Sequence, residues 1–273
     1  MSLSAPEYDE LLALATGVAA EAAVLVARMR ADGVDVATTK TSLTDVVTRA
    51  DERAQSLIRS RLLTARPDDT FLGEESLGEE GDAVTGTSGV RWVVDPIDGT
   101  VNYLYGAADY AVSIAAELDG RMVAGVVHAP ATGVVYSATL GGGATRDGAP
   151  LRVREVVEMG HRLIHTGFDY RVDVRRRQAG YVAAMLPQVR DIRRHGSCAL
   201  DLCAVASGGA DGYVEEGAHL WDHAAAALVA TEAGAAFALL RSPSGNDLVV
   251  CAPEGEFEEF LDLVHECGFV GNT

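Results

Sequence analysis

The stretch Trp92-Val-Val-Asp95-Pro-Ile-Asp98-Gly-Thr100 decides how this sequence is read. An apolar run of strand-forming type leads straight into two aspartates three positions apart. Pro96 and Gly99 predict a tight turn that aims both carboxylates into one space. Hard divalent cations seek such oxygen clusters, and Mg2+ takes only a few carboxylates beside phosphate and water. Two aspartates alone could equally do no more than bond the backbone of their own turn. The full run, with Thr100 attached, is far more specific.

Two further acidic segments extend the pattern. Upstream, Gly73-Glu74-Glu75-Ser76 lies at a predicted strand end; alone it reads as a solvated loop. Downstream, Trp221-Asp222-His223 opens a helical stretch, where Asp222 could simply be a cap. Together, three element ends offer carboxylates, as expected of a multi-metal phosphatase site with ions about 4 Å apart. Thr48-x-x-Asp51 is a helix-capping pattern, and a capped helix end can still point its carboxylate inward. His195-Gly196-Ser197-Cys198 precedes another helical stretch, whose first N–H groups suit an anion. A cysteine phosphatase would need a thiolate inside a basic phosphate loop, and the arginine expected after Cys198 is lacking, so Cys198 reads as a small neutral filler. Residues 141–143 lack the Gly-Lys-Ser/Thr ending of a phosphate loop and read as a hairpin turn. His219 and His223 read as packing or surface residues.

Working outward, Leu11, Leu14, Val18, Ala22, Leu25, Val26 and Met29 repeat at helical spacing and predict a first helix to about residue 30. A second is expected over about 50–65, ended by Pro67. Residues 71–72 and 91–94 read as strands. Segments 110–117 and 121–129 flank Asp119-Gly120, a strong hairpin signal, and a further strand lies near 134–136. Up to about residue 150 the chain reads as a helix pair plus an antiparallel meander. From 151 to 273, helices expected over 174–185, 197–206, 221–232 and 256–266 alternate with strands near 191, 213, 236 and 248. The fold class is α/β with mixed α+β character, the two parts forming one compact unit.

Bulk composition narrows the chemistry. The net charge is −18 over 273 residues, which repels nucleic acid and anionic lipid. An anionic substrate would be repelled as well unless cations bridge it. No uninterrupted apolar run of about 18 residues points to a membrane span. Nor does a secretory signal appear, so the expected address is the cytoplasm. Cys198, Cys203, Cys251 and Cys267 form no C-x-x-C pair and read as buried thiols in a reducing compartment. Lys40 is the only lysine, against 21 arginines. Codon bias accounts for that imbalance; alternatively position 40 needs a compact ammonium that arginine cannot replace.

From about residue 11 to 268 the chain resembles the inositol monophosphatase family. The resemblance rests on Gly73-Glu74-Glu75, Asp95-Pro-Ile-Asp-Gly-Thr100, Val101-Asn102-Tyr103 followed by Ala111-Val-Ser-Ile114, and Trp221-Asp222. It implies a layered α-β-α-β-α sandwich of the sugar-phosphatase type and a homodimer. It also implies two to three Mg2+ ions: Glu74, Asp95 and the Ile97 carbonyl would hold one, Asp95, Asp98 and Asp222 a second, with a weaker third near Glu74. Asp51 and Thr100 would orient the attacking water, with Glu74 counted among the catalytic residues and Lys40 matching a family lysine nearby. Substrate contacts would come from Asp98, Gly99, Thr100, Gly196, Ser197, Cys198, Glu215 and Asp222, with Glu215 reading ring hydroxyls. The implied reaction is hydrolysis of inositol monophosphate, a small phosphorylated polyol, by a metal-activated water. The alternatives are histidinol phosphate, fructose 1,6-bisphosphate or a 3′-phosphonucleotide as substrate, or a regulatory role with transcription machinery. Ala108 departs from the family's commoner proline.

Overall fold

The computed structural model describes residues 5–34, 36–39, 46–76 and 86–271. Lys40 lies outside the described residues. The chain opens with helix α1 (Ala5–Asp32), a short antiparallel pair β1 (Val36–Thr39) and β2 (Val46–Thr48), and helix α2 (Arg49–Ala65). Strand β3 (Thr70–Gly73) and the single turn Glu74–Ser76 follow, then β4 (Val90–Asp98) and the short helix α3 (Thr100–Tyr105). Strands β5 (Ala111–Leu118), β6 (Arg121–Ala129), β7 (Val134–Thr139), β8 (Gly143–Arg146) and β9 (Ala149–Pro150) complete the first part. The second part runs β10 (Leu163–Thr166), α4 (Val172–Met185), β11 (Asp191–Arg193), α5 (Cys198–Ala206), β12 (Gly212–Glu216) and α6 (Leu220–Glu232). It ends with β13 (Ala235–Arg241), β14 (Asp247–Pro253) and α7 (Phe257–Glu266).

Strands β3 to β9 form one seven-stranded sheet in sequence order. Only its first pair, β3 with β4, is parallel; the rest is the expected meander. The second sheet has the order β11-β10-β12-β14-β13, with β10 parallel to both neighbours. Three buried apolar clusters stack these sheets between helices. Leu11, Ala15 and Ala22 of α1 and Ile58 and Leu62 of α2 pack on one face of the large sheet. On its other side, Leu202 and Val205 of α5 and Ala225 and Val229 of α6 share a cluster with Val93 and Val127 and with Tyr213 and Cys251 of the small sheet. Phe260, Leu263 and Val264 of α7 and Met185 of α4 cover that sheet's outer face. The layers are therefore helix, sheet, helix, sheet, helix.

The sequence dictates these positions simply. Strand β4 is covered by helices on both faces, so it carries a continuous apolar run rather than an alternating one. Helix α6 lies between two sheets and is built largely from alanine, which lets both sheets approach its backbone. By length and composition alone, residues Glu7–Asp32 of α1 could cross a membrane. In this fold its Leu11, Ala15, Val18, Ala19, Ala22, Ala23 and Val26 are instead buried in the core.

One local expectation needs correction. The sequence predicts a tight turn at Pro96 to Gly99, but β4 runs on to Asp98, with an irregularity in its pairing to β5 between Asp95 and Asp98. Two residues on the bulged strand change the local twist, which re-aims the side chains without ending the strand. The reversal comes at Gly99, which has φ 90° and leads into α3. A Cβ there would lie 2.8 Å from the Asp109 carbonyl oxygen, so both conformation and space call for glycine.

Candidate active site

Three element ends deliver the acidic residues. Glu74 stands in the turn that ends β3, Asp95 and Asp98 at the end of β4, and Asp222 in the first turn of α6. Asp95 is 1% exposed and Asp98 7%, whereas Glu74 and Asp222 are partly buried. Each aspartate is held through one oxygen. The Ile97 N–H donates to Asp95 Oδ1 at 2.9 Å. Asp98 Oδ2 accepts from Ser197 Oγ at 2.5 Å and from the Ala199 N–H at 2.8 Å. Asp222 Oδ2 accepts from the His219 N–H at 2.6 Å. Asp222 is therefore not the N-cap, which is His219, but the third residue of the helix, whose carboxylate takes the cap's N–H, and it still lies among the other acids.

Their proximity shows in their acidities. Burial, then the charges of Glu74, Asp98 and Asp222, push the Asp95 carboxyl well above the usual range. Burial, then Glu74 and Asp98, does the same to Asp222. Asp98 is pushed up to about 7, burial outweighing the hydrogen bonds from Ser197 and Ala199. All of these donors are carboxylate oxygens, the set a hard cation prefers. A divalent cation among them would remove the mutual repulsion that now raises their pKa values. The residues present therefore fit Mg2+.

Asp51 and Thr100 stand beside this group. Asp51 is fully buried at the third position of α2. Its Oδ2 closes a capping box with Thr48, accepting from the backbone N–H at 2.8 Å and from Oγ1 at 2.5 Å. Its Oδ1 accepts from Thr100 Oγ1 at 3.1 Å. Thr100 Oγ1 also lies 3.0 Å from the Ile97 carbonyl oxygen. Capping and an inward-facing carboxylate thus coexist. Burial raises the Asp51 carboxyl to about 6 against the lowering effect of Thr48, and the Glu74 charge adds to the rise.

Among the residues expected to contact substrate, Ser197 caps α5, its Oγ also accepting from the Leu200 N–H at 3.2 Å. The first N–H groups of α5 are thus partly used within the protein, at Ala199 and Leu200, which narrows the anion-binding role expected of Gly196-Ser197-Cys198. Cys198 is buried, and burial raises its thiol well above the ordinary value, in keeping with a neutral filler. Glu215, near the end of β12, is pushed up to about 7, chiefly by loss of solvent. His223 is buried against Phe237 with its pKa lowered by burial to about 4, and His219 stacks on Trp221; both behave as packing residues.

Sequence reasoning missed four supporting residues. Gln55 Oε1 accepts the Glu75 N–H at 2.9 Å and so anchors the turn carrying Glu74. It stands one helical turn after Asp51, a spacing that could have flagged it. Tyr213 OH donates to Glu215 Oε2 from two positions earlier on the same strand face. Asn102 Nδ2 donates to the carbonyls of Asp109 and His195, at 2.6 and 2.7 Å. Gly167 leaves room for Glu215, since a Cβ there would fall 2.0 Å from its carboxyl. That last contact has no local sequence signal.

The raised carboxyls make a prediction for the metal-free protein. In the unfolded chain these acids titrate near 4. Folded, Asp51 titrates at about 6, Asp98 at about 7 and Glu215 at about 7. The folded state therefore binds more protons between pH about 4 and 7, and stability must fall as pH rises through that window. Asp98→Asn removes one of these groups. In excess chelator, wild-type Tm will drop more from pH 5 to pH 8 than the variant's, and Mg2+ will restore the wild type at pH 8. A wild-type-minus-variant Tm difference that does not change with pH would refute this.

A five-layer sandwich with acids converging from three element ends is the build of the layered metal-dependent phosphatases. A family model makes this specific: residues 7–267 match the Inositol monophosphatase family, and the chain belongs to that family of metal-dependent phosphatases. It is 44% identical over 270 residues to the Inositol-1-monophosphatase SuhB of Mycobacterium tuberculosis, covering 93% of each chain. A relative from Haemophilus influenzae, named Nus factor SuhB, is 33% identical over 95% of this chain and 97% of its own. The solved structure of Mycobacterium tuberculosis SuhB superposes with a TM-score of 0.82 at 42% identity, covering 96% of this chain and 98% of that one.

Proposed function

We propose that this phosphatase is Mg2+-dependent and hydrolyses inositol monophosphate. The observation that carries the reading is the crowding of Asp95 by Glu74, Asp98 and Asp222 at one buried point. Glu74, Asp95, Asp98, Asp222 and the Ile97 carbonyl would hold the ions. Bound there, Mg2+ neutralises phosphate charge, stabilises the leaving alkoxide and lowers the pKa of a coordinated water.

The chain's own residues supply the rest. Thr100 Oγ1 has one proton and two acceptors in reach, Asp51 Oδ1 and the Ile97 carbonyl. With that carbonyl taken up as a metal ligand, the hydroxyl would donate to Asp51 alone. Its lone pairs then accept a hydrogen bond from a water, which fixes the water's attitude toward phosphorus. Asp51, titrating near 6, is a base matched to neutral pH. Proton transfer from the water through Thr100 Oγ1 to Asp51 needs no side-chain nucleophile, so no phosphoenzyme forms. Gly99, Gly196, Ser197 and Cys198 would contact the substrate alongside Asp98, Thr100 and Asp222.

Glu215 supplies the preference for a polyol. Tyr213 holds its carboxyl, and Gly167 leaves it space. Ring hydroxyls offer several donors to that acceptor; an imidazole or nucleobase does not. A hydrogen bond to a charged group contributes about 1.5–3 kcal/mol, which is roughly a 10- to 150-fold preference. Glu215→Gln is expected to lower kcat/KM for inositol 1-phosphate by that factor, while histidinol phosphate and a 3′-phosphonucleotide lose little. An equal loss for all three substrates would mean that Glu215 does not read the ring.

The Haemophilus influenzae relative's name favours a second, regulatory reading, in which this chain also engages transcription machinery. Capture of RNA polymerase by the wild type and by a variant that binds no metal would establish it; no capture by the folded wild type would exclude it. A homodimer completes the proposal, placed in the cytoplasm because four free, buried cysteines suit a reducing compartment.

A further inference from the structure

A second cluster of ligand-type side chains lies outside the carboxylate centre. His165 on β10, His195 ahead of α5 and Asp201 in the first turn of α5 meet at one point. His165 Nδ1 is 2.7 Å and His195 Nδ1 2.9 Å from the same oxygen, Asp201 Oδ1. The two imidazole centroids are 4.5 Å apart, their planes tilted by 60°. One ligand atom from each of the three residues lies within 4.8 Å of the others. His165 is 4% exposed and Asp201 2%, while His195 is half-buried.

As a hydrogen-bond network this trio is unbalanced. One oxygen of Asp201 takes both imidazoles, and the other, Oδ2, is buried without a hydrogen-bond partner among the described residues. Buried carboxylate oxygens are ordinarily satisfied, and an orphan calls for an explanation. Beside the trio opens a cavity of about 280 Å³, lined also by Asp109, Tyr136 and Arg146. Such a space can admit a small ion and the waters that complete its shell.

We propose that His165, His195 and Asp201 form a binding site for a late first-row divalent cation, Zn2+ by its chemistry, with one coordination position open to the cavity. Two imidazole nitrogens and one carboxylate suit Zn2+, which accepts nitrogen and oxygen donors and keeps an open position when only three protein ligands are supplied. Both rings bind as neutral imidazoles through Nδ1, each keeping its one proton on Nε2. A single doubly charged ion then takes a ligand atom from three groups at once and places a positive charge beside a buried carboxylate that now has one oxygen unpaired. Mg2+ prefers oxygen alone, so the two centres sort their metals by donor type. The ion joins β10 to the segment 195–197. Ser197 of that segment holds Asp98, and the His195 carbonyl accepts from Asn102. Occupancy therefore braces the approach to the carboxylate centre without touching it.

The test uses the full-length protein, stripped with chelator, dialysed, and then saturated with Mg2+ to fill the carboxylate centre. Titration with Co2+ as a visible reporter is expected to give one bound ion per chain, displaced by Zn2+ and not by further Mg2+. His195 is half-exposed, so His195→Ala should fold; far-ultraviolet circular dichroism checks this. That variant, and separately His165→Gln, should weaken Co2+ binding at least about tenfold, since even groups outside the ligand set change affinity 10- to 100-fold. Asp222→Asn, in the carboxylate centre, should leave the Co2+ signal intact. The proposal is overturned if no Co2+ binds under Mg2+, if the signal survives in folded His195→Ala, or if Asp222→Asn abolishes it. Each of those outcomes would make the trio a hydrogen-bonded network only.

Discussion

Asp95→Asn is expected to lower kcat by roughly a thousandfold or more while leaving a folded protein. A metal at such a site contributes several kcal/mol of transition-state charge stabilisation, and about 1.4 kcal/mol is tenfold in rate. Asparagine keeps the shape of the side chain and can still accept the Ile97 N–H that Asp95 Oδ1 now takes at 2.9 Å. It also removes a buried charge that Glu74, Asp98 and Asp222 all oppose. The metal-free variant should therefore melt no lower than the metal-free wild type, and it should gain far less Tm from added Mg2+. Kinetics in graded Mg2+, paired with melting curves, separate the two effects. Full wild-type activity in excess chelator would sink the proposal that these residues act through a metal.

Thr100→Ala and Asp51→Asn are expected to be about equally slow, each by roughly 10²- to 10⁴-fold, the usual span for a positioned acid–base group. The double variant should be scarcely slower than either, because members of one catalytic unit are not additive. The physical reason is the proposed relay from water through Thr100 Oγ1, which donates to Asp51 Oδ1; it is useless once either link is gone. Thr100→Ser keeps the hydroxyl and should recover most of the rate. Asp51 also closes the capping box of α2, so its variant weakens the contact to Thr48 while removing a buried charge; Thr100→Ala does neither. Losses that multiply in the double variant would assign Asp51 to capping alone.

Much of the molecule is legible from local pattern. The Asp119-Gly120 hairpin, the two N-terminal helices and the α/β alternation of the second part follow from period and turn chemistry, and both hairpin residues do take positive φ. Helix α3 and strand β10 escaped that reading. The first is six residues long, too short to show a helical period. The second, Leu163–Thr166, is stabilised by parallel pairing with β11 and β12 rather than by its own alternation. The bulge at Asp95 to Asp98 escaped as well, because Pro96 and Gly99 signal a turn locally while the pairing with β5 keeps the strand going.

By itself, the sequence determined the kinds of group the proposed centre has to offer: carboxylates at Glu74, Asp95, Asp98 and Asp222, a hydroxyl at Thr100, and the strand and helix ends that bear them. Those properties are local, set by side-chain chemistry and by the residues immediately around each acid. Only the tertiary structure decided which groups meet. Ser197 reaches Asp98 across 99 positions, and Thr100 reaches Asp51 across 49. Gly167 makes room for Glu215, and His165 joins Asp201 from 36 positions away. Such distances close because two sheets must bury their faces on α5 and α6, and packing two sheets on shared helices brings their strand ends together. No period, cap or turn in the chain encodes that meeting, since it depends on the summed burial of the whole core rather than on any one segment.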